Sequence, residues 1–468
     1  MKKFKTAVSK IYHRGSHEST TAIKEGGTEL GGDNSSQALW TTGQEFQFYV
    51  PWLWKDSPEP PPEKLHPNRQ IVRIPRLTNL PGFTDEFRDA WIQQCVANAV
   101  KYLVYDKQHY PTCTQSELEQ RKHDKTEAWK QFNIVQRECN LPKITLPGYD
   151  GVLPMEMTII IKQLSVRQGT ASSPSSLEWC NLPTPGKCIE RIKNQVKIYL
   201  TRECSIHIHI RPVNMLAFDL VTFKKMASLL WLAEDRLDQL YHPARCRPNS
   251  PSHHSLRNHS NLALDNSPLL SNSVDDHAAV LGFLNPYSAE KKSLTTIWQT
   301  INHHQLRELL LAHPSIGQHE FLAYNFFNIH MNSEKQTIEF RKTESTRDGQ
   351  VIDAWIEVFV LLAYFCTISS TQSFQRVMED LVKPQDEYST WKLLGDIGCN
   401  RLTVDVLRQK SMDQWLPLDP AARWAPREAD SPTTARRKLA PRPRLLDAVR
   451  RGTKKFGGMI ARGSSYGC

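Results

Sequence analysis

The chain has 468 residues, of which 39% are hydrophobic and 23% charged, with a formal net charge of +10. That balance supports a sizeable buried core and excludes a chain that is disordered throughout. Residues 421–468 hold twelve Lys/Arg against three Asp/Glu, a net of +9, which leaves +1 for the rest and excludes a polyanion-binding body.

Residues 1–38 are polar, rich in Ser, Thr and Gly and without periodicity, and read as disordered. Their basic start lacks the apolar run of a secretory signal. No apolar run reaches the roughly 18 residues of a membrane span; the nearest, Trp355 to Ile368, is interrupted by Glu357. Ten scattered cysteines without a CxxC pair read as reduced thiols of a cytoplasmic protein.

In chain order, Glu45 to Val50 reads as the first strand, ended by Pro51, and the proline-rich residues 55–80 as loop. Thr84 is placed to cap a helix carrying Asp85 and Glu86 in its first turn. A strand at Met155 to Ile161 is followed by a helix from Lys187 to Leu200 and an alternating strand from Cys204 to Ile210. Asp219 then caps a long helix reaching Tyr241. Residues 243–292 are rich in Pro, Ser, Asn and His and read as a long loop or lid. A helix from Leu294 to Ala312 precedes strands at Ala323 to His330 and Thr337 to Arg341. An apolar helix spans Val351 to Cys366, and shorter ones lie at Ser389–Leu394 and Val404–Gln409. Strands and helices without regular βαβ spacing predict an α+β domain over 39–415, with 416–468 as a basic, disordered tail.

Four strand segments carry residues suited to chemistry. His207 and His209 lie two apart, so both imidazoles leave one face of a strand whose other face is Ile206, Ile208 and Ile210. Glu339 and Arg341 share a face in the same way, an oxygen ligand for a hard cation beside a planar fork for phosphoryl oxygens. Glu45 and Gln47 point oppositely to Phe46 and Phe48, as a metal-holding Glu-x-Glu strand would, with an amide in place of the second acid. Glu156 is a lone acid within an apolar strand and needs a partner, for which a metal is one candidate. Each pattern alone also fits a solvated strand face or a surface ion pair. No P-loop, nucleotide-binding glycine fingerprint or Gly-x-Ser-x-Gly elbow competes with them.

Together these segments resemble the amidoligase family common in fungal genomes, related to glutamine synthetase and γ-glutamylcysteine ligase. Gly43 to Phe48 resembles its Gly-x-Glu-x-Glu-Phe strand, and Cys204 to Ile210 its Cys-Gly-Leu-His-Val-His-Val. The helix with Trp231 and Glu234, followed by Ser255-Leu256-Arg257, resembles its Leu-Trp-x-x-Glu helix and Ser-Leu-Arg. Thr337 to Thr346 resembles Thr-Ile-Glu-Phe-Arg-x-x-Glu-Gly-Thr, with Asn325 and Asn328 ahead of it. The resemblance spans about residues 41–400. It implies a curved, mainly antiparallel sheet of glutamine synthetase-like type. It also implies ATP with two or three divalent cations (Mg²⁺ or Mn²⁺), and amide formation from a small-molecule carboxylate and an amine or peptide through an acyl phosphate. On that footing Glu45, Glu156, His207, His209 and Glu339 would be metal ligands. His209, Arg257 and Arg341 would contact the nucleotide's phosphates, Arg341 and Glu339 would be catalytic, and Gln47, Asn325, Asn328 and Glu344 are further candidates. Glu45, Glu156, His207, His209, Glu339 and Arg341 should converge on one concave sheet face.

Three residues depart from the family pattern: Gln47 for Glu, Thr343 for His and Ser345 for Gly. They keep open a catalytically degenerate member acting as a binding or regulatory protein. A metal-dependent hydrolase built on His207 and His209 is a third reading, although a further His- or Asp-rich strand motif is missing. The tail is expected to give weak polyanion contact.

Overall fold

A computed structural model of the chain describes residues 38–60, 69–76, 84–106, 112–120, 133–136, 141–167, 176–179, 183–213, 218–246, 253–264, 281–284, 288–316, 322–329 and 336–413. The expected disordered start and the basic tail from 416 lie outside the described residues, apart from Ala38.

The first strand is β1 (Ala38–Trp54), longer than the Glu45–Val50 core expected for it. Pro51 does not end it. Gln47 and Tyr49 donate their backbone N–H groups to Ser205 and Tyr199 on one side, at 3.0 and 2.9 Å, so the ring nitrogen of Pro51 faces that side too. The ladder to the opposite neighbour therefore loses no donor there, and Pro51 pairs with Val152. The other strands are β2 (Val72–Ile74), β3 (Thr112–Thr114), β4 (Asn133–Gln136) and β5 (Gly151–Arg167). They continue with β6 (Ser176–Trp179), β7 (Ile206–Pro212), β8 (Tyr324–Asn325) and β9 (Ile338–Phe340).

These strands form one open sheet in the order β3-β4-β5-β1-β7-β9-β8, with β2 beside β1 and β6 beside β5. The pairings are antiparallel except β1 with β2 and β3 with β4. Strands and helices thus make a mixed α+β architecture around a mainly antiparallel sheet. One face is apolar: Phe46, Phe48, Met155, Met157, Ile206, Ile208, Ile210, Ile338 and Phe340 are all buried. Burying the three β7 isoleucines alone stabilises by roughly 5–9 kcal/mol. That is enough to hold His207 and His209 on the reverse side with little freedom.

Helices cover the apolar face. α1 (Asp85–Val104) starts at Thr84, whose hydroxyl accepts from the Phe87 N–H. α2 (Pro185–Gln195) stops five residues short of the expected end, because Val196 bridges to Gln70 and Tyr199 to Tyr49. Extended pairing to the sheet overrides helical periodicity there. α3 (Leu220–Leu237) is capped by Asp219, which accepts from the Thr222 N–H at 2.8 Å. The single helix expected over Leu294 to Ala312 is two, α4 (Ala289–Gln299) and α5 (His303–Leu310), with Asn302 capping the second. α6 (Gly349–Ile368) is long and apolar enough to cross a membrane, contrary to the run length read from the sequence. Most of it is buried in the domain, where Phe359 stacks on Phe340 at 4.0 Å. α7 (Thr371–Leu381), α8 (Thr390–Asp396) and α9 (Arg401–Asp413) follow, the first of them unforeseen.

The expected lid, 243–292, is not simply a loop where it is described. Leu256–His259 and Asn261–Leu264 are short helices, and Leu256, Leu262, Leu281 and Leu284 are buried. Its order comes from α3: the Glu234 carboxylate accepts from the Ser255 hydroxyl (2.6 Å) and from the Leu256 and Arg257 N–H groups (2.9 and 3.0 Å). That satisfies donors a helix start leaves orphaned.

Candidate metal centre

Strand register decides which polar residues meet. Gln47 stands opposite Glu156 across β1 and β5, and Glu45 opposite His207 across β1 and β7. His209 stands opposite Glu339 across β7 and β9, and Glu339 opposite Asn325 across β9 and β8. All leave the sheet on the face opposite the isoleucines.

Around Glu339 the contacts are close. Arg341 donates from one terminal guanidinium nitrogen to Glu339 Oε1 at 2.5 Å, and the Asn325 amide donates to Oε2 at 2.8 Å. His207 Nδ1 lies 3.3 Å from Glu45 Oε2 and 3.4 Å from Glu339 Oε1. One ring nitrogen facing two carboxylates must carry the proton, so His207 bridges them as a donor through Nδ1.

His209 is set differently. Its Nδ1 is 3.2 Å from the Thr337 hydroxyl. Its Nε2 is buried without a hydrogen-bond partner, 3.3 Å from Glu45 Oε1 and 3.9 Å from Glu339 Oε1 but aligned with neither. With a cation seated between the two carboxylates, a proton on Nδ1 toward Thr337 would leave the Nε2 lone pair for the ion, the usual arrangement of a metal-ligating histidine and its orienting partner.

Burial works to raise the Glu45 carboxyl, but His209 and His207 outweigh it and hold the group well below its usual range. Burial likewise opposes ionisation of Glu339, and His209 and Arg341 overcome it. Both are carboxylates at neutral pH. Burial, with the Arg341 charge, lowers His207, which keeps that imidazole neutral. Burial and the Glu45 charge push Glu156 up to about 8 despite the Gln47 hydrogen bond.

Ligand atoms of Glu45, His209 and Glu339 all lie within 4.8 Å of one another. An ion bound at about 2.0–2.2 Å needs ligand–ligand edges of about 3.0–3.5 Å; the 3.3 Å approach of His209 to Glu45 lies within that range, and the 3.9 Å approach to Glu339 lies just above it. Among the described residues this triad fits one divalent cation after a small adjustment of Glu339. Two carboxylates and an imidazole suit Mn²⁺ or Zn²⁺ at least as well as Mg²⁺.

The remaining expected residues are placed as follows. Glu156 shares the face but is engaged by the Gln47 amide at 3.1 Å. Arg257 pairs with Asp235 and Glu290, each at 3.3 Å, and not with the cluster. Glu344 belongs to a separate buried network with Lys410 and the His242 N–H. Asn328 lies half-buried in the turn after β8, outside the cluster's described contacts. Thr343 and Ser345 are framework ties: their hydroxyls donate to the carbonyls of Ile206 and Gln47.

Two participants escaped the sequence reading. Thr337 orients His209; its period-two spacing from Glu339 was the available signal. The Ser205 N–H, which donates to Gln47 Oε1 at 3.3 Å, is a backbone group and leaves no mark in a side-chain pattern. Comparison of the chain with family models, with curated proteins and with solved structures returns no match.

Proposed function

We propose that the protein is an ATP- and divalent-metal-dependent carboxylate–amine ligase of the amidoligase type, on a sheet of glutamine synthetase-like kind. One observation carries the reading: Glu45, His209 and Glu339 gather on one polar sheet face with Arg341 beside them. A bound Mg²⁺ or Mn²⁺ would supply charge neutralisation to the triphosphate at this triad. The chain's own residues do the rest. His207 holds the two carboxylates apart through its shared Nδ1 proton. Thr337 fixes the ring of His209.

Arg341 spends one terminal nitrogen of its five-donor guanidinium on Glu339. The guanidinium thus keeps donors for a transferring phosphoryl group. In the reaction a substrate carboxylate oxygen attacks the γ-phosphorus and ADP departs. An amine nitrogen then attacks the acyl carbon, loses a proton and displaces phosphate. Positioning and charge stabilisation in a site of low dielectric carry most of the rate in such a transfer.

The test is ATP hydrolysis that depends on Mg²⁺ or Mn²⁺ and on a carboxylate and an amine together. Mass spectrometry of cell extract incubated with ATP and enzyme would seek the amide product. Absence of an ATP-dependent product across such extracts, from folded protein, would refute the ligase.

Gln47 favours a second reading, a fold-retaining binding or regulatory protein. An amide stands where the family pattern has a carboxylate, and burial with the Glu45 charge opposes ionisation of the Glu156 carboxyl beside it. ATP binding without turnover would support that reading over the first.

A further inference from the structure

The resemblance implies two or three cations, and among the described residues one group of side chains fits a cation. We infer that this chain binds a single divalent cation, at Glu45, His209 and Glu339, and that the Gln47 amide closes the neighbouring position on the Glu156 side.

The direction in which the Gln47 amide faces decides what it can hold. Its two ends meet the Ser205 N–H at 3.3 Å and Glu156 Oε2 at 3.1 Å. Ser205 N–H can only donate, so the atom facing it is the carbonyl oxygen. A flip would oppose two donors at Ser205, whatever the protonation of Glu156. The orientation is therefore fixed by the backbone: Ser205 and Gln47 also exchange a main-chain bond, Gln47 N–H to the Ser205 carbonyl at 3.0 Å.

The consequence is chemical. The only Gln47 atom able to ligate a hard cation is turned to the backbone, while its NH₂, which has no lone pair to offer, is turned to Glu156. The partial positive charge of that N–H stands against Glu156 where a cation would stand between two carboxylates. Glu156 lies outside the group whose ligand atoms gather within 4.8 Å, and a divalent ion seated beside it would have to displace the amide and leave its carbonyl bond unmade. The triad has the opposite character: two carboxylates, and an imidazole nitrogen with no partner of its own.

The inference rests on the cation-binding half of the ligase reading and not on turnover. It is tested on the full chain with Mn²⁺ alone, counting bound ions by loss of the free-ion electron paramagnetic resonance signal. Wild type should bind one Mn²⁺ per chain. His209→Ala and Glu339→Gln should each weaken it at least tenfold, and Glu156→Gln, which keeps a carbonyl oxygen to accept from the Gln47 NH₂, should change affinity less than about twofold. Gln47→Glu should raise the count to two. Two ions in the wild type, none at all, or one that survives His209→Ala would overturn the inference, as would a Glu156→Gln variant with tenfold weaker binding. A Gln47→Glu protein that folds and still binds one ion would show that Gln47 does not close the second position. A protein with one bound Mn²⁺ and no amide-forming activity would refute the ligase and leave the single site standing.

Discussion

Lys410 ties α9 to the rest of the domain through a buried ion pair, and replacing it tests the electrostatics of the fold. Its ammonium meets Glu344, donates to the Leu240 carbonyl at 2.7 Å and lies 4.6 Å from the centre of the Trp355 ring. Glu344 is 1% exposed at its side chain and Lys410 12%. Burial holds the Lys410 ammonium below its ordinary value even with Glu344 beside it. Burial would likewise raise Glu344, but Lys410 and Arg245 together bring it below its usual range. The pair as a unit is thus close to break-even, and the cost of Lys410→Met is mainly that of leaving a buried carboxylate behind.

Breaking such a pair on one side costs about 3–5 kcal/mol. The His242 N–H at 3.3 Å and the charge of Arg245 remain to Glu344, which places the expected loss near the lower figure. Urea unfolding followed by tryptophan fluorescence measures it. Glu344→Gln added to Lys410→Met removes the orphaned charge and should recover most of the loss.

The pH dependence has a definite sign. A folded-state pKa held below the unfolded value gives stability that is present above about pH 4.5 and lost as pH falls through the folded pKa. Lys410→Met should flatten that acid-side decline relative to wild type. A single variant within about 1 kcal/mol of wild type, or a double variant no better than the single, would refute the reasoning.

Three further outcomes are expected. Arg341→Ala should lower any ATP turnover by roughly three powers of ten or more, and Arg341→Lys should also fail because a point charge cannot reproduce the planar fork; circular dichroism should show the fold retained, and wild-type turnover in either would exclude the role. Gly186→Ala should destabilise by about 1–3 kcal/mol or more, because the new methyl carbon would sit 2.1 Å from the Gly349 carbonyl oxygen where α2 meets α6; an unchanged urea midpoint would contradict that contact. Deleting residues 421–468 should abolish retention on heparin at low salt and leave thermal unfolding and ATP turnover unchanged, whereas an unfolded product would make that segment part of the core.

Some elements were legible one residue at a time. Thr84 and Asp219 cap helices because their side-chain oxygens reach N–H groups two or three residues on, an interaction confined to a single turn. His207, His209, Glu339 and Arg341 could be paired by face because strand alternation is a local rule. Elsewhere local rules lost. Val196 to Leu200 continues a helical pattern yet pairs with residues near 49 and 70. The segment 253–264 looks like loop by composition, and its order depends on a carboxylate twenty residues earlier. Gly349–Ile368 has the composition of a membrane span, and only its packing in the domain places it as a core helix.

Alternation of polar and apolar residues along each strand is written in the residue order, and with it which side chains could share a face. It could not determine register. A shift of one residue between β1 and β7 would send Glu45 and His207 to opposite faces, and one between β1 and β5 would part Gln47 from Glu156. Those pairings are set by the packing of Phe46, Met157 and the β7 isoleucines against helices far away in the chain. Only the tertiary structure therefore decided that His209 Nε2 would be left without a partner between two carboxylates, and that the backbone of Ser205 would turn the carbonyl of Gln47 away.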